Sequence, residues 1–326
     1  MLTRAAAAAS HDASGMSALI TGVRGFIGRA LARQLVAAGA RVIGVDVVDQ
    51  ETGLPAGVAY YQADILEPGA LRSAFNSLLT ISGRDCVVFH LAGESHVGRC
   101  QADPRRALAL NVTGTLHVLE ACRTAGSPRL VFPSSALTYA LPADVPIDEG
   151  APVEARSVYA ASKLACEALI RGYSSDFRLV CRVARLGNVY GHREESDSVA
   201  DIVLRQVFSG GPVSLKSLSP IRDFIYRDDV AVGLVALATL DPTAPYAVFN
   251  LSSGIPTSIR ELASTACRVG GLEPLLIETD PHPADVRDEL VLSIRKLETQ
   301  SGWHPAWTLE DGLRQSLAAM RSQTDE

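Results

Sequence analysis

From Met16 onward the apolar positions fall into two kinds of run. Short, continuously apolar stretches rich in β-branched residues alternate with longer stretches in which apolar residues recur every three or four positions. The first kind predicts buried strands at 17–21, 41–48, 58–62, 86–92, 129–133 and 178–184. The second predicts helices at 27–38, 67–77, 107–125 and 157–172. Strands apolar on both faces, alternating with helices, indicate an α/β fold with a parallel sheet covered on both sides. After about Leu186 the alternation breaks, and segments such as FSGGPVSLKSLSPIRDF become irregular and rich in Gly, Pro and Ser. That change predicts a smaller C-terminal substrate-binding lobe over the carboxyl ends of the strands, where open α/β sheets bind ligands.

The first expected strand runs into the first expected helix through ALITGVRGFIGRALARQL. Gly22 permits the tight turn, Gly25 lets backbone approach a pyrophosphate, and Gly28 permits close helix–strand packing. Phe26 and Ile27 lie on the same path, and the phosphates would sit on the helix N-terminus. This makes the sheet a Rossmann-type doubly wound one. Asp46 follows Gly28 by 18 residues, at the end of RVIGVD. A carboxylate there accepts hydrogen bonds from the adenosine ribose and repels a 2′-phosphate, which favours NAD over NADP. Arg24, inside the glycine loop, is the contrary signal. Asp64 and Ile65, after the third strand, are placed to reach the adenine; Asp64 alternatively caps a helix. The expected division is a dinucleotide-binding domain over 16–185, with 225–248 returning to it, and a substrate lobe over 186–224 and 249–326.

Composition narrows the class further. The chain has 326 residues, 47% hydrophobic and 20% charged, with a net charge of −6. That suits a large soluble core and gives a nucleic-acid role no electrostatic support. No apolar run approaches the roughly 20 residues that span a bilayer. Six cysteines without CxxC spacing, mostly in apolar segments, read as reduced and buried, hence a cytoplasmic protein with neither a metal site nor a disulfide framework. The first 15 residues, MLTRAAAAASHDASG, are low in complexity and too weakly apolar for a secretory segment; they are expected to be a disordered tail.

Of 30 basic side chains only Lys163, Lys216 and Lys296 are lysines, and Lys163 follows Tyr159 by four residues on an expected helix. TGVRGFIG, HLAGESHV, Asn111 in ALNVTGTLHVLEA, PSSALTYA, YAASK, RLGNVYG, RDFIYRDDV and the GWHP turn occur in that order. Together they resemble the extended short-chain dehydrogenase/reductase family, NAD-dependent nucleotide-sugar epimerases, dehydratases and ketoreductases, over nearly the whole chain. The resemblance implies that Tyr159 is the acid/base, Lys163 its helper, and Ser135 the hydroxyl that binds the substrate oxygen. It implies that Leu91, Ala92 and Gly93 admit the nicotinamide ribose and that Asn111 shapes the helix beside the active site. It also implies a homodimer packed through helices 107–125 and 157–172.

The chemistry fits that pair. Residues i and i+4 share a helix face. An unperturbed phenol, near pKa 10, is a poor base at neutral pH. A lysine charge ~5 Å away contributes about 3 kcal/mol towards phenolate, roughly two pKa units. The family's dehydratases carry an acidic residue just after the active-site Ser/Thr, and its 3,5-epimerases a cysteine; here Ala136 and Leu137 stand there. What remains is redox at one carbinol, which the resemblance implies belongs to a nucleotide-activated sugar. A 4-epimerase acting through a transient keto sugar is expected, with a ketoreductase or dehydrogenase using exchangeable NAD(P)H as the rival, and a non-catalytic dinucleotide sensor as a third reading. For the substrate, the resemblance points to Asn188, to Arg222 as a diphosphate ligand, and to Asp285. Arg222 could instead pair with Asp223, Asp228 or Asp229. His282 stands where the family has an arginine, with Arg287 nearby, and His192 where it has a proline.

Overall fold

The computed structural model describes residues 13–49, 53–82, 86–126, 129–141, 144–192, 197–281 and 288–324. The tail expected over 1–15 lies mostly outside these residues. Ala13 is inside them and fully buried against the core, so packing begins ahead of Met16.

The first half alternates as the pattern predicts: β1 (Ser17–Thr21), α1 (Phe26–Ala37), β2 (Arg41–Asp46), β3 (Val58–Gln62), α2 (Arg72–Ser82), β4 (Val87–His90), α3 (Val97–Ala102), α4 (Pro104–Leu108), α5 (Gly114–Thr124), β5 (Arg129–Ser135), α6 (Val158–Phe177) and β6 (Cys181–Leu186). The second half adds β7 (Asn188–Tyr190), α7 (Val199–Phe208), β8 (Val213–Leu215), β9 (Ile221–Tyr226), α8 (Arg227–Thr239), β10 (Tyr246–Leu251), β11 (Pro256–Ser258), α9 (Ile259–Gly270), β12 (Leu276–Glu278), β13 (Glu289–Leu290), α10 (Arg295–Ser301) and α11 (Leu309–Thr324). The irregularity expected after Leu186 is thus mostly short strands and helices.

Seven parallel strands form the central sheet in the order β10-β6-β5-β4-β1-β2-β3. The order reverses between β1 and β4, which opens a crevice beyond their carboxyl ends. One face is covered by α1 and α8, through Leu31, Leu35, Val230 and Leu234. The other is covered by α2, α5 and α6, through Phe75, Leu78, Val118 and Ile170. A smaller sheet of β11, β9 and β13, with β7 paired to β9, and the β12–β8 pair lie in the C-terminal part. Their core is separate and gathers Val203, Leu204, Leu262 and Leu313.

Three departures have local causes. The helix expected at 67–77 begins only at Arg72, because Pro68 and Gly69 terminate the preceding turn and Gly69 has φ +80°. The strand expected to reach Val48 stops at Asp46, whose own carboxylate takes the Val47 amide. The helix expected at 107–125 is interrupted by a π-helical stretch, Ala109–Thr113, centred on Asn111.

Candidate active site

The glycine loop leaves β1 at Gly22, where φ is +70° and a Cβ would lie 2.6 Å from the Ala92 amide nitrogen. A Cβ on Gly28 would lie 2.2 Å from the Gly22 carbonyl oxygen. Both positions therefore exclude any side chain. Gly25 begins α1 with no side-chain cap and no acid in the first turn, an uncapped helix N-terminus of the kind that suits an anion.

The Asp46 carboxylate is oriented from two sides: the Arg24 amide donates to Oδ2 at 3.0 Å and the Val47 amide to Oδ1 at 2.9 Å. Asp64 accepts the Leu66 amide at 2.9 Å, a local turn bond, and with Ile65 lines the same cavity of about 520 Å³ as Asp46. A second cavity of about 510 Å³ holds Phe26, Ile27, Ser135, Tyr159 and Lys163. The two share Gly22, Gly25, Leu91 and Gly93, so they are two ends of one cleft around the crevice. A carboxylate at one end, uncapped helix amides in the middle and an acid/base set at the other fit an adenine dinucleotide laid along it. Ala92 lines the Asp46 end. Asn111 lines neither cavity: its side chain bonds both the amide and the carbonyl of Glu94 and the Ser162 hydroxyl, tying the loop after β4 to α6.

β5 and α6 bring the chemistry together. Tyr159 and Lys163 lie one turn apart on α6, and Ser135 ends β5. The Ser135 hydroxyl accepts the Leu137 amide at 3.2 Å and shares the cavity with the Tyr159 phenol. The Lys163 ammonium donates to the Pro133 carbonyl at 3.0 Å and lies 5.9 Å from the centre of the Tyr159 ring. The fall expected for the phenol does not appear. Burial pushes Tyr159 up to about 12, against the pull of the Ser135 hydroxyl, with the nearby Cys100, Glu94 and Cys166 adding to the rise. Burial also pulls the Lys163 ammonium below its ordinary value. Burial is the leading cause for both groups, a cost that distance alone does not capture.

At the substrate end, Asn188 and Arg222 line the cavity. Arg222 is ion-paired, with Nη2 at 2.8 and 2.9 Å from the Asp288 carboxylate oxygens rather than with Asp223, Asp228 or Asp229. Asp223 is a buried acceptor for Ser253, Gly254 and Leu292 amides instead. Asp285, His282 and Arg287 lie outside the described residues. His192 is described and gives its carbonyl to Arg227. Two groups were not singled out from sequence. His96 faces the cavity, accepts the Arg99 amide on Nδ1 and meets Asp197 through Nε2 at 3.2 Å. Glu167, one turn beyond Lys163, forms a buried pair with Arg185 at 2.7 Å; its i+4 spacing was the available signal.

Among the described residues, no cluster of His, Cys, Asp and Glu could hold a metal ion, and no helix is long and apolar enough to cross a membrane.

The strand order, the cleft at its reversal and the convergent Ser, Tyr and Lys define an extended short-chain dehydrogenase/reductase. The chain belongs to the NAD dependent epimerase/dehydratase family, which it matches over residues 18–252. It is 31% identical to a UDP-glucose 4-epimerase of Streptomyces lividans over 306 residues, covering 88% of this chain and 91% of that one. The fold superposes with a TM-score of 0.82 on a Thermus thermophilus UDP-glucose 4-epimerase in complex with NAD, at 30% identity, covering 94% of this chain and 99% of that one. It is also 29% identical to a GDP-6-deoxy-D-mannose reductase of Pseudomonas aeruginosa, covering 94% and 98%. The protein is an NAD-dependent enzyme.

Proposed function

We propose that the enzyme inverts C4 of a nucleotide-activated hexose, a UDP sugar being the first candidate. The observation that carries this is the meeting of Ser135, Tyr159 and Lys163 in one cavity continuous with the cofactor cleft, with Ala136 and not an acid beside them. The similarity to UDP-glucose 4-epimerases supports the same reading. NAD, when bound, supplies a hydride acceptor that becomes the donor, and in its oxidised form a positive ring. Tyr159 takes the C4 hydroxyl proton as the C4–H bond breaks. Ser135 holds the same oxygen, and the Lys163 charge opposes the desolvation of the phenolate. The keto sugar then presents its other face, and Tyr159 returns the proton as the C–H bond re-forms. No net oxidation results.

Asn188 and Arg222, which line the cavity, are proposed as ligands of the sugar and diphosphate, and Asp285 as a further substrate ligand. A ketoreductase is the second reading, favoured by the similarity to the mannose reductase. The test is UDP-galactose with the purified protein and no added cofactor. Formation of UDP-glucose without net absorbance change at 340 nm is expected. Stoichiometric consumption of added NADH or NADPH by a keto sugar, without epimer formation, would establish the second reading instead. A homodimer through the α5 and α6 faces, and a cytoplasmic location supported by six free, buried cysteines, complete the proposal.

A further inference from the structure

Three consecutive residues at the end of β5 face α6, two of them through hydrogen bonds. The Pro133 carbonyl accepts Lys163 Nζ at 3.0 Å, the Ser134 hydroxyl donates to Glu167 Oε1 at 2.5 Å, and Ser135 lines the same cavity as Tyr159. Tyr159, Lys163 and Glu167 are spaced by four, so they form one stripe along the helix. Arg185 on β6 is the cross-strand partner of Ser134 and closes the lattice, with Nε and Nη2 at 3.1 and 2.7 Å from the Glu167 oxygens. Its guanidinium lies 4.7 Å from the Tyr139 ring centre, and Tyr139 donates to Asn250 at 2.6 Å. Both members of the pair are 7% exposed. A buried pair of this kind is weak support for stability, because apolar replacements of similar volume are often as stable. Its placement next to the reacting groups gives it another use.

We propose that Glu167 and Arg185 are positioning residues for the proton-transfer step: the pair fixes the register of α6 against β5, and its balanced charge sets the field at Lys163 and Tyr159. This rests on the roles assigned to Tyr159 and Lys163 above and not on the identity of the sugar. The other titratable groups facing Tyr159 and Lys163 are Glu94 in the loop after β4, His90 at the end of β4, Cys100 on α3 and Cys166 on α6. Tyr139, Glu149 and Tyr246 face the pair from its far side, with Arg171 beside Tyr246. None of these changes in the test.

The test is the phenolate titration of Tyr159 with bound NAD⁺ and no sugar, read by difference absorbance against Tyr159→Phe, so it stands whether or not a UDP sugar is the substrate. Glu167→Gln leaves Arg185 as an unbalanced cation and lowers the midpoint. Arg185→Gln leaves Glu167 as an unbalanced anion and raises it. Each shift is on the order of half to one pH unit, and Glu167→Gln/Arg185→Gln returns close to the parent. Movement of both single variants in the same direction, or of neither, overturns the proposal. Should the single variants not fold, Ser134→Ala, which changes no charge, decides: kcat falls severalfold or more with KM and the midpoint kept, and an unchanged kcat overturns the proposal.

Discussion

In the proposed mechanism Tyr159 sits where desolvation and catalysis pull in opposite directions. A phenol pushed up to about 12 is held neutral and ready to donate, the form needed when the keto sugar is reduced. Oxidation needs the phenolate, so Lys163 and the cofactor's charge must act together. Tyr159→Phe is expected to lower kcat by a factor on the order of 10² to 10⁴ while NAD affinity stays unchanged, measured by turnover and by NAD titration. Asp46 makes a different demand. Both oxygens are fixed by backbone amides, so its charge holds one orientation at the end of the cleft proposed for the NAD ribose. Asp46→Ala is expected to bring the Kd values for NAD and NADP closer together; an unchanged ratio would move the selection to Arg24. These residues could be proposed from the sequence because each belongs to a short, locally spaced motif. Arg222–Asp288 could not, since 66 residues separate its partners and only the folded β9–β13 pairing brings them together.

Asn111 shows how one side chain can override the periodicity of a helix. The apolar pattern over 107–125 reads as one continuous helix, yet a π-helical stretch replaces the middle of it. Asn111 is buried there and makes three hydrogen bonds, two to Glu94 and one to Ser162. The local widening is consistent with that geometry, and it leaves Gly93 close to the side chain: a Cβ on Gly93 would lie 2.8 Å from Asn111 Oδ1. Periodicity reports which face is apolar and is blind to such a tether. Asn111→Ala removes the partners of the part-buried Glu94 amide and carbonyl and the donor to the buried Ser162 hydroxyl, which keeps its own bond to the Tyr159 carbonyl. A loss of about 2–4 kcal/mol in denaturant unfolding is expected. A loss in NAD affinity should accompany it, because the loop after β4 then loses its anchor to α6. Asn111→Ala with wild-type stability and NAD affinity would show that the tether is dispensable.

The division into a cofactor domain and a substrate lobe is read from where the alternation stops, a local feature that carries no information on long-range packing. Ile294, Leu297 and Trp303, far beyond the last strand of the central sheet, are buried in the core under α1 and α8. The join is completed by Asp229 at the start of α8, which accepts the Ala306 and Trp307 amides at 2.9 and 3.0 Å. Nothing in RDDV marks the second of two adjacent aspartates as the buried one. Burial pushes its carboxyl from 3.8 up to about 6, against the two amide bonds, with Asp228 adding to the rise. The folded value is above the unfolded one, so the stability this group contributes is complete below about 4 and is lost as pH rises through about 6. The difference corresponds to about 3 kcal/mol. Asp229→Asn stays neutral throughout and isolates the effect. In urea unfolding between pH 4 and 7, the advantage of the parent over Asp229→Asn should shrink with rising pH by up to that amount. A difference independent of pH would mean that the two amides hold the carboxylate ionised from the start, and that the C-terminal segment is joined to the core without this cost.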